Sequence, residues 1–350
     1  MKVFENISLK EYNTFGIDVK ARRMVVVELE DSVECVVDSI RGQEVLVLGA
    51  GSNMVFTKDY DGTVITLARN SQFSILLPAL QALSTDESKN ITAKNYHFVS
   101  AWGGMVMDDL VQYTLDQGLY GLENLSAIPG TVGASAVQNV GAYGAEAKDF
   151  IDSVEAYDLQ EHCRCTFSNA DCQFAYRDSF FKHHPGRYLI LRVVYRLNKE
   201  YTPNLSYKAL EGLPHDTAQQ LRDAITELRW SKLPRPEEHG SAGSFFKNPV
   251  VDEETYLRLK ADNPDMPEAH PIFNFQFSIF NYKLSAGWLI DKAGWKGRTQ
   301  GRAGVWPKNA LVLYNTDGCS GEEVRSLATA IQQDVKQKFG VSLDPEAIMI

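Results

Sequence analysis

The hydrophobic pattern follows two periods. Toward the C-terminus, Val324, Leu327, Ile331, Val335 and Phe339 recur at helical spacing, the apolar stripe of a surface helix laid on a core. Ser320 stands as N-cap with Glu323 three residues on, and Gly340 follows the last apolar position, so both ends are marked. The same reasoning predicts a helix from Ser285 through Ala286 to Asp291 stopping at Gly294. Another runs from Met107 to Asp116, on Leu110, Val111, Thr114 and Leu115, and closes at Gly118; a fourth starts at an Asp31 N-cap and stops at Gly42. The other period belongs to strands. Val45-Leu46-Val47-Leu48 is a continuous apolar run, and Thr63 to Leu67, Ser153 to Tyr157 and Tyr188 to Tyr195 have the same β-rich texture. Strands and helices mix throughout, so the class is α+β. The polar, poorly periodic segment 70–95 reads as a long surface excursion.

Bulk properties narrow the class. With 350 residues the chain is long enough for two or three domains, and Asn198-Lys199-Glu200 suits a boundary. A formal charge of -10 disfavours nucleic acid and anionic lipid, which need a basic face. Any anionic ligand should therefore rest on a few local cations and backbone amides. No apolar run reaches bilayer-spanning length, so membrane insertion is not expected. Met1-Lys2-Val3-Phe4-Glu5-Asn6 lacks the apolar region of a secretory signal, and a cytoplasmic setting is expected. Cys35, Cys163, Cys165, Cys172 and Cys319 are odd in number and show no ligand spacing; they read as thiols, with no metal site.

Several clusters could carry chemistry. Gly49-Ala50-Gly51-Ser52-Asn53 ends a strand, and such a turn can aim N–H groups at a phosphate. It lacks the third glycine of the dinucleotide fingerprint and the Lys of a P-loop, and it fits an ordinary strand-to-turn glycine pair as well. Glycines at 121, 130, 133, 141 and 144 mark repeated turns or close approach to a ligand. In Tyr176-Arg177-Asp178-Ser179 the guanidinium offers a planar, bidentate partner for a carboxylate, with Tyr176 as a further donor; a surface Arg177–Asp178 pair is the alternative. Gly243-Ser244-Phe245-Phe246 holds a serine between a small-residue turn and two aromatics, and is either one wall of a cleft or a turn entering a strand. It is not a nucleophile elbow. Leu343-Asp344-Pro345-Glu346 puts a carboxyl after a proline turn, either lodged in a cleft or simply solvated.

Taken in order, Asn13 to Gly16, Gly49 to Asn53, Gly121 to Gly144, Tyr176 to Ser179, Gly243 to Pro249 and Leu343 to Glu346 resemble the UDP-N-acetylenolpyruvoylglucosamine reductase (MurB) family over nearly the whole chain. Leu205-Ser206-Tyr207-Lys208 resembles the tyrosine loop of one subclass. The resemblance implies a two-lobed FAD-binding domain of the vanillyl-alcohol-oxidase (PCMH) type at 1–198, with lobes of about 1–68 and 69–198, and a smaller α+β substrate domain at 199–350. It implies non-covalent FAD, with its pyrophosphate on Gly49, Ala50, Gly51, Ser52 and Asn53, and with Ile128, Pro129, Gly130, Thr131, Val132 and Gly133 approaching the flavin. It implies NADPH as co-substrate and reduction of an enolpyruvyl UDP-sugar to UDP-N-acetylmuramate for peptidoglycan. Arg177 and Glu346 would stabilise developing charge and Ser244 would supply a proton. Tyr143, Tyr176, Tyr207, Arg229, Lys232, Asn248 and Asn309 would contact substrate or NADPH. A monomer is expected.

Two departures stand out. The family commonly follows Pro-Glu with Val-Arg-Phe-Ile-Gly, whereas this chain reads Ala347-Ile348-Met349-Ile350, and Val305-Trp306-Pro307-Lys308-Asn309 has no histidine. The aromatic run Phe273 to Phe277 receives no role. The rival readings are another flavin oxidoreductase on the same scaffold and a non-catalytic flavin or UDP-sugar sensor. None of the seven histidines or five cysteines lies in the motifs expected at the flavin, which argues against a covalently tethered cofactor.

Overall fold

A computed structural model of the chain describes residues 1–70, 73–76, 96–274 and 279–350. The first helix, α1 (Val33–Ser39), begins one residue later than an Asp31 N-cap would place it, after a 3-10 turn over Glu30–Ser32. Ser32 occupies the N-cap, but its hydroxyl donates to the Leu29 carbonyl at 2.7 Å and leaves the helix without a side-chain cap. α2 (Met107–Asp116) forms where its apolar positions predict, burying Met107, Leu110, Val111 and Thr114. The glycine-rich stretch yields a helix where the sequence suggests turns, α3 (Val132–Gln138). Thr131 caps it by accepting from the Ala134 N–H. A Cβ on Gly133 would lie 3.2 Å from the Gly103 carbonyl oxygen and 3.3 Å from that of Ile190, so the missing side chain lets α3 press against its neighbours. α4 (Ala218–Lys232) has no counterpart in the sequence pattern, because it buries only Ala218, Leu221 and Ile225.

Contacts divide the chain into two units. The first comprises Met1–Ile7, Ala21–Ala50 and Asp61–Arg229; the second comprises Ser8–Lys20, Gly51–Tyr60 and Trp230–Ile350. The first unit holds a four-stranded sheet in the order Lys2–Ser8, Lys20–Val27, Tyr60–Leu67, Val45–Val47, the last pair parallel. It also holds an antiparallel five-stranded sheet in the order Cys163–Ser168, Ile151–Asp158, Tyr188–Asn198, Tyr96–Trp102, Phe73–Leu76. One core joins them, with Val25, Val36, Ile65, Trp102, Leu110, Val132, Val193 and Tyr195 all buried. Phe73–Leu76 is an edge strand inside the segment read as an excursion, which corrects that reading there; 71–72 and 77–95 lie outside the described residues.

The second unit contains α5 (Glu253–Asp262), α6 (Ala286–Lys292) and α7 (Gly321–Phe339). α6 and α7 match the expected caps: Ser285 accepts from the Trp288 N–H, and Ser320 and Glu323 close a capping box. Val324, Leu327, Ile331, Val335 and Phe339 are all buried. Ser241–Ser244, Val312–Asn315, Ala303–Val305 and Thr299–Gln300 form one antiparallel sheet; Val250–Asp252, Ile279–Lys283 and His270–Asn274 form another. Phe275 and Phe277 of the aromatic run lie outside the described residues. Ile348–Met349 pairs in parallel with Met54–Val55. Among the described residues no helix is long and apolar enough to cross a membrane.

Candidate active site

In the first unit the glycines build a tight backbone floor. A Cβ on Gly49 would sit 3.0 Å from Thr131 Oγ1 and 3.1 Å from Ala134 Cβ, so the strand end at Gly49 rests on the start of α3. Gly130 has φ +145°, a value that disfavours a side chain. The adjoining Gly103 and Gly104 would place a Cβ 2.1 Å from the Ile190 carbonyl oxygen and 2.3 Å from that of Ala68. The start of α3 is thus packed closely against Gly49, and a side chain there would have to push Thr131 and Ala134 aside. In the second unit, Gly51 has φ +63° and would place a Cβ 2.3 Å from the Tyr12 carbonyl oxygen. The N–H groups from Gly49 to Asn53 donate to no acceptor among the described residues. Unsatisfied amides on a glycine backbone suit an anionic group such as the pyrophosphate of FAD.

Cations and phenols gather elsewhere in the first unit. Arg177 sits at φ +55° in a turn closed by Ala175 and Asp178, which exchange backbone hydrogen bonds at 3.0 and 3.1 Å. Its Nη2 donates to the Gly141 carbonyl at 2.7 Å, and its guanidinium lies 5.5 Å from the centre of the Tyr176 ring. Tyr143, also in the left-handed region at φ +50°, meets the Tyr207 ring edge-on at 5.6 Å. Asn124, fully buried, donates to the carbonyls of Tyr143 at 2.7 Å and Asn204 at 2.9 Å, so one amide ties the Tyr143 turn to the loop that carries Tyr207. Arg229 lies near Tyr143. Burial pushes its guanidinium below the ordinary value; Tyr143 and Asp108 oppose that shift and nearby Arg177 adds to it. Burial likewise raises the Tyr143 phenol. Two guanidiniums close enough to repel, with Tyr176 beside Arg177 and Tyr143 near Arg229, make a cluster of positive charge suited to carboxylate or phosphate.

The second unit brings Ser244 and Glu346 together. The Glu346 N–H donates to the Phe245 carbonyl at 2.7 Å, Lys247 N–H to the Asp344 carbonyl at 2.9 Å, and Phe246 bridges to Pro345. Ser244, exposed at the end of its strand, therefore runs beside the Glu346 backbone. Asn53 Nδ2 donates to the Glu346 carbonyl at 3.2 Å and Ile348 N–H to the Asn53 carbonyl at 2.9 Å, which fixes the carboxyl-bearing residue from its other side. The unusual ending is anchored too: Ile350 N–H donates to the Val55 carbonyl, and Ile350 O accepts from Thr57 N–H and Thr57 Oγ1, both at 2.7 Å. Phe245 N–H donates to the Leu311 carbonyl at 2.8 Å, setting the Asn309 turn alongside. Asn248 does local work, accepting from the Ala286 N–H at the start of α6. Lys232 is the exposed last residue of α4. Sequence reasoning missed Asp108, Asn124, Asn204 and Arg222; isolated polar residues on helices and turns give no motif, and only the buried network reveals them.

The chain is similar to known proteins over its full length. The family model of the UDP-N-acetylenolpyruvoylglucosamine reductase C-terminal domain matches residues 235–350, and that of an FAD-binding domain matches 21–163. The chain is 42% identical to the UDP-N-acetylenolpyruvoylglucosamine reductase of Pseudomonas aeruginosa, covering 99% of this chain and 98% of that protein. It is 43% identical to that of Pseudomonas putida, covering 98% and 97%. A crystal structure of UDP-N-acetylenolpyruvylglucosamine reductase (MurB) from Thermus caldophilus superposes with a TM-score of 0.66 at 22% identity, covering 100% of this chain and 99% of that one. That fold agreement bears out the α+β architecture with an FAD-binding domain expected from the resemblance. With relatives this similar over the full length, the chain belongs to the UDP-N-acetylenolpyruvoylglucosamine reductase family, FAD-dependent oxidoreductases of peptidoglycan precursor synthesis.

Proposed function

We propose that the chain uses NADPH to reduce UDP-N-acetyl-3-O-(1-carboxyvinyl)-glucosamine to UDP-N-acetylmuramate, holding FAD without a covalent bond and working as a cytoplasmic monomer. Residues 1–198 would serve the cofactor and 199–350 the substrate. FAD, once bound, would supply the hydride chemistry between NADPH and the methylene carbon of the enolpyruvyl ether. The chain's own residues handle the charge and the proton. Hydride arrival makes the neighbouring carbon carbanionic, delocalised as an enolate onto the carboxylate, and Arg177 and Glu346 stabilise that charge. Ser244 Oγ gives a proton to the same carbon, which completes the lactyl ether; solvent then restores the hydroxyl. Arg229, Tyr143, Tyr176 and Tyr207 hold the anionic sugar nucleotide, Lys232, Asn248 and Asn309 complete its contacts, and Gly49 to Asn53 and Ile128 to Gly133 cradle FAD.

The observation that carries this reading is the pairing of Phe246 with Pro345, which sets the serine strand beside the Glu346 backbone. The test is Ser244→Ala followed by stopped-flow spectroscopy of each half-reaction. Flavin reduction by NADPH should persist, while reoxidation by the enolpyruvyl UDP-sugar slows by roughly 10²-fold or more. Equal loss of both half-reactions would remove Ser244 as proton donor.

A further inference from the structure

We propose that Asp108 is a positioning residue that locks the stretch leading to the flavin and the substrate-binding arginine into one register. The inference rests on the reading above, in which Ile128 to Gly133 approaches FAD and Arg229 binds the sugar nucleotide. Asp108 lies in the first turn of α2. Its Oδ1 accepts from the Ala127 N–H at 2.6 Å. Arg222 grips the same carboxylate through both terminal nitrogens, at 2.6 and 2.9 Å, and is held in turn by Gln112 Oε1 on its Nε at 2.7 Å. Burial acts to raise the Asp108 carboxyl, but Arg222 and the Ala127 N–H outweigh it and keep it below its ordinary value.

Ala127 is where the clamp acts. It is buried and sits at φ +56°, a left-handed conformation that a residue with a Cβ rarely adopts unaided. Its N–H is held by Asp108, and its carbonyl accepts from Arg229 Nε at 3.2 Å. The next residues are Ile128, Pro129 and Gly130. Arg222 and Arg229 lie seven residues apart on α4, on one face of the helix. One carboxylate thus sets the strained residue before the flavin-facing stretch and the helix face carrying Arg229. An acid in a helix's first turn needs only to offset the dipole; Asp109, its neighbour, has that role available without the network.

The test compares Asp108→Ala, Asp108→Asn and Asp109→Asn in the full chain with its flavin. The readouts are the visible flavin absorption band, KM for the enolpyruvyl UDP-sugar and the rate of flavin reduction by NADPH, each per bound flavin. Asp108→Ala should shift the band and raise KM roughly tenfold to hundredfold, the scale of a small misplacement at a reacting centre. Asp108→Asn keeps an acceptor for the Ala127 N–H, so it should raise KM and leave the band nearly unchanged. Asp109→Asn should alter neither. Adding Ala127→Gly to Asp108→Ala should restore the band, because glycine adopts φ > 0 freely; a purely structural role for Asp108 predicts no such rescue. The proposal fails if Asp108→Ala keeps the parent band and KM, or if it loses stability with no kinetic change and no rescue. Arg229→Met separates the two levels: an unchanged KM there would overturn the substrate role of Arg229, whereas a raised KM beside an inert Asp108→Ala would overturn only the clamp.

Discussion

Gly51→Ala probes the glycine turn with a cost that can be worked out beforehand. Two terms add. At φ +63° an L-residue costs about 1–2 kcal/mol. The new Cβ would also fall 2.3 Å from the Tyr12 carbonyl oxygen and 2.7 Å from Asn13 Cα, both backbone atoms, so the segment from Leu9 to Ile17 must shift. That segment is pinned by buried Asn13, which donates to the carbonyls of Leu9 at 2.7 Å and Ile17 at 3.0 Å and accepts from the Ile17 N–H at 3.0 Å. Breaking one such buried hydrogen bond adds about 1–3 kcal/mol, for a total of about 2–5 kcal/mol. Gly318→Ala is the control, since its φ is +60° and an added Cβ would meet nothing within 4 Å; it should cost only the backbone term of about 1–2 kcal/mol. Urea unfolding measures both, and equilibrium dialysis of FAD reads the turn's second role. If the shifted amides forfeit about 1.4–2.8 kcal/mol of phosphate binding, FAD affinity falls roughly 10- to 100-fold in Gly51→Ala. Equal destabilisation by the two substitutions, or full FAD retention by Gly51→Ala, would refute the reasoning.

Two further predictions concern carboxylates. Glu323 accepts from Ser320 N–H and from Arg302, the backbone bond being the larger cause, and its pKa is lowered from 4.5 to about 2. Its contribution is present above pH 4.5 and lost as pH falls toward 2, so Glu323→Gln should be less stable at neutral pH and converge with the parent near pH 2 in urea melts; parallel curves would contradict this. Glu123 runs the other way. It is buried and accepts from Gly121 N–H, at 2.9 and 3.0 Å, yet burial outweighs these bonds and raises its pKa above 4.5. Its ionised form is penalised as pH rises through that raised value, so Glu123→Gln should melt higher than the parent at pH 8 and lose that advantage by pH 4; a lower melting temperature at pH 8 would contradict it.

What could be read in advance was local and well marked. α7 announced itself through a capping box, a five-residue stripe and a terminal glycine, because each device acts within one turn of its own sequence. α4 and α5 did not, since each buries two or three apolar side chains and their remaining positions are polar. α3 was hidden by Gly133, whose lack of a side chain serves packing against Gly103 and Ile190 instead of a turn. The N-cap at Asp31 failed because the 3-10 turn before α1 satisfies itself through Ser32 and Leu29. In the candidate site, the motif residues were visible as clusters of chemistry. Their supports, Asn124 beneath Tyr143 and Asp108 beneath Ala127, were invisible, because hydrogen bonds across 19 residues leave no spacing rule.

The parallel pairing of Ile348–Met349 with Met54–Val55 bears on how the protein is made. Thr57 waits for a partner 293 positions downstream, and so does the strand beside it. During translation that edge stays open while the 293 intervening positions are made, a long interval for a chaperone or protease to engage it. A nascent chain stalled before Ile348 would leave Met54–Val55 without its parallel partner, and such fragments should be cleared instead of accumulating as partly active enzyme.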